Sequence, residues 1–135
     1  MNSECVFCKI AEGKIPSMKV DEDDSTLSFL DINPVNFGHV LIIPKKHHQW
    51  MTDVPNNLLE KIFVKSKELM KSLKKTMKAD YVALSVIGTD VPHFHVHLVP
   101  RYFNDGLSNL WPTKKYAEKE GEKFAEKIRK SLISD

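Results

Sequence analysis

Three histidines at alternate positions stand in the segment His93-Phe94-His95-Val96-His97-Leu98-Val99. Alternation is the period of a β-strand, so the three rings share one face while Phe94, Val96 and Leu98 turn to a core. On a regular strand neighbouring rings lie about 6.6 Å apart and the outer two about 13 Å. His93 and His95 could share one zinc ion, whose bonds to nitrogen are about 2.0–2.1 Å; His93 and His97 could not. The triplet is therefore no single three-histidine metal site, and its members must divide their roles. Imidazoles grouped in this way suit nucleophilic and acid–base chemistry near neutral pH. Three further histidines, His39, His47 and His48, stand upstream, as do the two cysteines, Cys5 and Cys8. Thiols that close cannot staple a chain of 135 residues. Their spacing suits half of a metal site, or a redox pair, in a reducing compartment.

These side chains need elements to hold them. Thr26–Leu30 is a short strand candidate after an acidic turn at Asp21–Asp24. Val40–Ile43 is a β-branched run stopped by Pro44 and reads as a buried strand. Leu58, Leu59, Ile62, Phe63, Leu69, Met70, Leu73 and Met77 recur in steps that describe one helix face, with lysines opposite. A helix from about Pro55 to Met77 follows, with Asp53 expected as its cap. Tyr81–Ile87 and His93–Val99 are further strands, and a last helix is expected from about Tyr116 to Ile133, with Ala117, Phe124, Ala125, Ile128 and Leu132 on one side. The order does not alternate as βαβ units, so the expected class is α+β with an antiparallel sheet.

Composition narrows the functions. Twenty Lys and Arg against eighteen Asp and Glu leave a net charge of +2, far from the footprint of a general nucleic-acid binder. No apolar run approaches the roughly 18 residues of a spanning helix, and the N-terminus lacks a secretory layout. With no internal repeat and no composition break, residues 1–135 are expected to form a single domain, cytoplasmic, without nucleic-acid or membrane partners.

His93-Phe94-His95-Val96-His97-Leu98-Val99 resembles the histidine-triad (HIT) motif, His-φ-His-φ-His-φ-φ with φ apolar. Cys5-Val6-Phe7-Cys8-Lys9-Ile10, Lys14-Ile15-Pro16-Ser17, Phe29-Leu30-Asp31-Ile32 and Gly38-His39-Val40-Leu41-Ile42-Ile43-Pro44-Lys45-Lys46-His47 resemble that family in the expected order. The likeness runs from about Cys5 to Arg101 and is nearest to the zinc-containing members of the phosphoramidase-like branch.

The resemblance implies a HIT-like α+β fold with a five-stranded antiparallel sheet per subunit, one long helix and a C-terminal helix, assembled as a homodimer. It implies hydrolysis of nucleoside phosphoramidates, purine ones foremost, or of related nucleoside 5′-phosphate conjugates. His95 would be the nucleophile, forming a nucleotidyl-histidine, with His97 donating to a phosphate oxygen and His39 completing the cluster. Val6, Phe7, Ile10, Phe29, Ile32, Gly88 and Val91 would border the nucleotide, and Asp31 would accept hydrogen bonds from the ribose hydroxyls. Structural zinc would be held by Cys5, Cys8, His47 and His93, the resemblance selecting His47 over His48. A dinucleoside polyphosphate hydrolase, and a zinc-stabilised nucleotide-binding protein with little turnover, are the alternative readings. The chain departs from the family pattern at two places. The Gly-rich loop before the triad is cut down to Gly88-Thr89-Asp90-Val91-Pro92, with Asp90 where a hydroxyl would touch phosphate; an ionised carboxylate there repels it. The asparagine expected near Ser85 and Val86 is missing as well.

Overall fold

The computed structural model describes residues 4–108 and 111–134. Its elements, in chain order, are α1 (Val6–Ala11), β1 (Lys19–Glu22), β2 (Thr26–Leu30), β3 (Val40–Pro44), a 3₁₀ turn (Met51–Asp53), α2 (Asn56–Thr76), β4 (Tyr81–Ser85), β5 (Val96–Arg101) and α3 (Glu120–Ser134). The described residues fall into two compact units, one ending at Asp105 and one starting at Gly106. The first holds the whole sheet, five strands in the order β1-β2-β3-β5-β4, every neighbouring pair antiparallel. The α+β class with an antiparallel sheet is as the element order predicts, and the five strands are as the resemblance implies.

The centre of the sheet is buried on both faces, which is why β3 reads as an unbroken apolar run rather than an alternating one. Val40, Ile42, Phe94, Val96 and Leu98 pack with Ile62, Leu69 and Leu73 of α2. On the opposite face Leu27, Phe29, Leu41 and Ile43 pack with Cys5, Phe7 and Cys8 around α1. His97 pairs with Leu41 across the β3–β5 ladder, so it shares this second face. The sheet thus puts a structural core behind the histidines and the short helix α1 in front of them.

Several boundaries differ from the sequence reading, each for a local reason. Asp21 and Glu22 are not in a turn; they belong to β1, where Lys65 and Lys45 pair with them at 3.0 and 2.7 Å. The turn itself is made by Asp23, whose Oδ1 accepts the N–H groups of Ser25 and Thr26 at 2.9 and 2.8 Å. Asp53 does not cap α2; Pro55 is the N-cap residue and Asp53 accepts the Trp50 N–H at 3.2 Å. The fifth strand begins at Val96, not His93. Phe94 donates its N–H to the His48 carbonyl at 2.6 Å, outside the ladder, and Pro44 at the end of β3 has no N–H to offer a partner. The fourth strand stops at Ser85.

In the second unit, α3 starts at Glu120, after Lys119 in the left-handed region at φ 65°. Tyr116 lies against Phe124 with ring centroids 6.0 Å apart and planes inclined at 43°. The side chains of Phe124, Ile128 and Leu132 are exposed along that helix.

Candidate active site

The bend at 93–95 deals the three histidines to different partners. His93 is fully buried and turns towards α1. Its Nε2–H donates to the Pro44 carbonyl at 2.7 Å, which leaves the lone pair on Nδ1. That Nδ1 lies 3.3 Å from Cys5 Sγ and 3.5 Å from Cys8 Sγ, and His47 Nδ1 lies 3.3 Å from Cys8 Sγ. Cys5 is the N-cap residue of α1, and its sulfur accepts the Cys8 N–H at 3.4 Å, so the helix start presents both thiols to one point. The four donor atoms all lie within 4.8 Å of one another. A tetrahedral ion with bonds of about 2.3 Å to sulfur and 2.0–2.1 Å to nitrogen separates those atoms by about 3.5 Å, so the group fits a metal ion. His47 joins this group and His48 does not. Burial holds the His93 ring down at about 4 against the pull of its Pro44 bond, with His47, His95 and His48 adding to the depression; the ring is neutral and free to ligate.

His95 is also buried, and its Nδ1–H donates to the His93 carbonyl at 2.7 Å. In the neutral ring that bond leaves the lone pair on Nε2, which has no hydrogen-bond partner. His97 is fixed differently. The Val35 N–H donates to His39 Nδ1 at 3.1 Å, which places the His39 proton on Nε2. That proton is donated to His97 Nδ1 at 3.0 Å, so the His97 proton sits on Nε2, again buried and without a partner. Two adjacent rings, centroids 4.8 Å apart, thus hold opposite functions at the same ring atom: a lone pair on His95 and a proton on His97. Burial first, then the neighbouring rings, keeps the His97 pKa low; burial, opposed by Asp31, does the same for His39. Both are neutral at pH 7. Asp31 Oδ2 is 3.7 Å from His39 Nε2, and the same residue's Oδ1 accepts the Asn33 N–H at 2.9 Å. Because His39 Nδ1 and His97 Nδ1 each accept a hydrogen bond and their Nε2 atoms carry the protons, neither ring offers a free lone pair to the groupings with Asp31 and Asp90.

The loop that carries Val35 is itself anchored. Asn36 donates to the Pro100 carbonyl at 2.8 Å and to Asp105 Oδ2 at 3.2 Å, and Asp105 also receives Arg101 Nε at 2.8 Å. Gly38, at φ +90°, ends the loop where a Cβ would lie 2.9 Å from Met77.

In front of the rings is a cavity of about 270 Å³ lined by Val6, Phe7, Ile10, Phe29, Asp31, Ile32 and Val91, together with Pro16, Ser17, Leu30, Asn33, Leu41 and Asp90. Phe7 joins cavity to histidines: its ring meets His95 edge-on at 5.0 Å and Phe29 at 5.7 Å. Seven of the eight residues expected at a nucleotide are thereby brought together. Gly88 is not: it is buried at φ +81°, where a Cβ would stand 3.2 Å from the Trp50 ring, so it shapes the loop and does not line the cavity. Sequence reasoning missed Pro16, Ser17, Leu30, Asn33 and Leu41. Pro16-Ser17 stood inside a segment already noted for its resemblance, and Leu41 becomes visible once its register opposite His97 is known. Apolar walls with the Asp31 carboxylate at one side suit a planar base with a diol, while Asp90 stands at the side of the histidines.

Comparison with known proteins gives concordant results. A model described as the HIT domain matches residues 12–104. The adenosine 5′-monophosphoramidase of Candida albicans is 37% identical over 141 residues, covering 97% of this chain and 93% of that protein. The crystal structure of a HIT family member from Bacillus subtilis superposes with a TM-score of 0.86 at 32% identity, covering 95% of this chain and 96% of that one. A zinc-bound histidine triad protein from Mycobacterium smegmatis superposes with a TM-score of 0.74 at 28% identity, covering 97% of each chain.

Proposed function

The chain belongs to the HIT domain family, and from that premise we propose that it hydrolyses purine nucleoside phosphoramidates, or related nucleoside 5′-phosphate conjugates, through a nucleotidyl-histidine. The observation that carries this reading is the opposed protonation of the two Nε2 atoms beside the cavity, a lone pair on His95 and a proton on His97. Phe7, Phe29, Val6, Ile10, Ile32 and Val91 take the base and ribose, and Asp31 accepts from the ribose hydroxyls. The His95 Nε2 lone pair attacks the α-phosphorus while the phosphorus–nitrogen bond breaks; its electron pair leaves with the amine, which takes up a proton from water on the open side of the site. Positive charge grows on the His95 ring, and the Nδ1–H bond to the His93 carbonyl strengthens as it does. His97 Nε2–H donates to a non-bridging phosphate oxygen. A water then attacks phosphorus as the bond to His95 breaks, and the electron pair of that bond returns to Nε2. The water's proton passes to solvent, where it neutralises the hydroxide left by the first step, and the nucleoside monophosphate leaves.

Cys5, Cys8, His47 and His93 would hold zinc, which would supply a closed structural tie between α1, the segment after β3 and the triad bend. A similarity to a zinc-bound relative supports that choice of metal. The remaining elements of the reading are a homodimer and a cytoplasmic location. The dimer is supported by β4, an edge strand followed by the exposed Val86 and Ile87. No helix among the described residues is long and apolar enough to cross a membrane.

The test is to incubate the purified protein with adenosine 5′-phosphoramidate and, separately, with a dinucleoside polyphosphate. Release of AMP from the first alone is expected. Release from the second alone would replace this reading with the polyphosphate hydrolase, and binding without release from either would replace it with a binding protein.

A further inference from the structure

A second cleft, of about 220 Å³, adjoins the first and is lined by Glu4, Cys5, Val6, Asp90, Val91 and Pro92. The two hollows share Val6, Asp90 and Val91, so Asp90 stands on the wall between them. Its side chain is 63% exposed, yet Oδ1 comes within 3.4 Å of His95 Nε2, the buried ring nitrogen that lacks a hydrogen-bond partner. Burial pushes the Asp90 carboxyl up, but the backbone N–H groups of Val91 and Asp90 outweigh it and hold the pKa below the usual carboxylate range. The cleft is therefore lined by the ionised Asp90 together with Glu4, and no lysine or arginine lines it among the described residues.

We propose that this cleft is the leaving-group subsite, and that Asp90 selects conjugates whose departing amine carries a further positive charge over those whose leaving group is anionic. The inference rests on the hydrolytic reading above. For attack, phosphorus must come within about 3–3.5 Å of His95 Nε2, where Asp90 Oδ1 now stands. The approaching phosphate repels the carboxylate, and the exposed side chain turns into the cleft it already borders. In an in-line displacement the leaving group extends away from the nucleophile, so it meets Asp90 in that displaced position. A second ammonium on the leaving amine gives Asp90 a partner there; a carboxylate or phosphate confronts like charge. The bond chemistry is unaltered: the phosphorus–nitrogen pair leaves with the amine, and the distal ammonium keeps its proton.

Three adenosine 5′-phosphoramidates with propyl-length leaving groups, ending in an ammonium, a methyl or a carboxylate, separate the possibilities. The ratio of kcat/KM between the cationic and anionic compounds is expected to exceed about tenfold at low salt and to shrink in about 0.5 M salt. Asp90→Asn should reduce that ratio about tenfold, and Asp90→Glu should restore most of it, which a merely structural loop residue would not do. Equal kcat/KM for all three compounds, or an unchanged ratio in Asp90→Asn, overturns the subsite while leaving hydrolysis intact. Should no compound be turned over, calorimetric affinities of the same three decide. Tighter binding of the cation would then sink the hydrolytic reading, and the leaving-group role with it, while keeping the charge preference of the cleft; equal affinities would sink that preference too.

Discussion

Replacing His39 by alanine removes the ring that sets the protonation of His97. His39 is buried, at 3% exposure, and holds two hydrogen bonds: it accepts from Val35 N–H at 3.1 Å and donates to His97 Nδ1 at 3.0 Å. Each partner left unsatisfied costs about 1–3 kcal/mol, the exposed Val35 lying at the low end because water can reach its N–H. With the packing of the lost ring, the total is about 3 kcal/mol, a large share of the roughly 5–15 kcal/mol that holds a domain together. The expected consequence is a fall in Tm of about 10 °C. The effect on chemistry is separate. Freed from its donor, the His97 ring samples both tautomers and several orientations, so kcat on adenosine 5′-phosphoramidate should fall about 10–100-fold. KM should change little, because His39 does not line the cavity proposed for the nucleotide. Nitrogen-15 NMR of the histidine side chains reads the tautomer directly. In the unaltered protein His97 should carry its proton on Nε2 and His39 likewise; in the variant the His97 signals should move towards a mixture. A His97 proton found on Nδ1 in the unaltered protein would refute the proton chain outright. So would a variant within about 0.5 kcal/mol of the parent that keeps full activity.

Cys5→Ser should lower bound zinc well below one per chain and reduce Tm while leaving the His95 signals in place; metal analysis after dialysis checks it, and retention of a full equivalent would count against the four-ligand site. In protein stripped of metal, acid should destabilise through His93. Burial keeps its folded pKa at about 4, against about 6.5 in the unfolded chain, so the unfolded state takes the proton first as pH falls. Stability should thus drop by about 3 kcal/mol between pH 6.5 and 4 and level off below, with His39 and His97 adding in the same direction. Urea unfolding at a series of pH values would show this, and a flat profile over that range would contradict it.

The long helix was legible because its apolar face is turned to one sheet, and Ile62, Leu69 and Leu73 are its buried apolar residues. The strands Thr26–Leu30 and Val40–Pro44 were legible from their β-branched and aromatic content. What sequence periodicity could not give is the bend at 93–95. Treated as a regular strand, the three histidines point one way; the His48 carbonyl captures the Phe94 N–H and turns His93 towards Cys5 and Cys8 instead. The helix α1 was hidden because six residues with only Phe7 and Cys8 buried carry no usable period. The cavity-lining set came from resemblance, since Phe7 and Phe29 taken alone read as core, which in part they are. Asp90 shows the reverse: the sequence marked it as a charge out of place, but only the distance to His95 says what that charge faces.

The most direct test of the central claim, that His95 Nε2 is the nucleophile, is to trap the covalent intermediate. The protein is mixed with adenosine 5′-phosphoramidate, quenched within a turnover, digested and mapped by mass spectrometry under conditions that preserve phosphohistidine. An adenylyl group on His95 is expected, absent in His95→Asn, which should retain zinc and bind nucleotide within about tenfold, or 1.4 kcal/mol, of the parent. An adenylyl group on another residue, or a His95→Asn protein that still releases AMP at the parent rate, would contradict it.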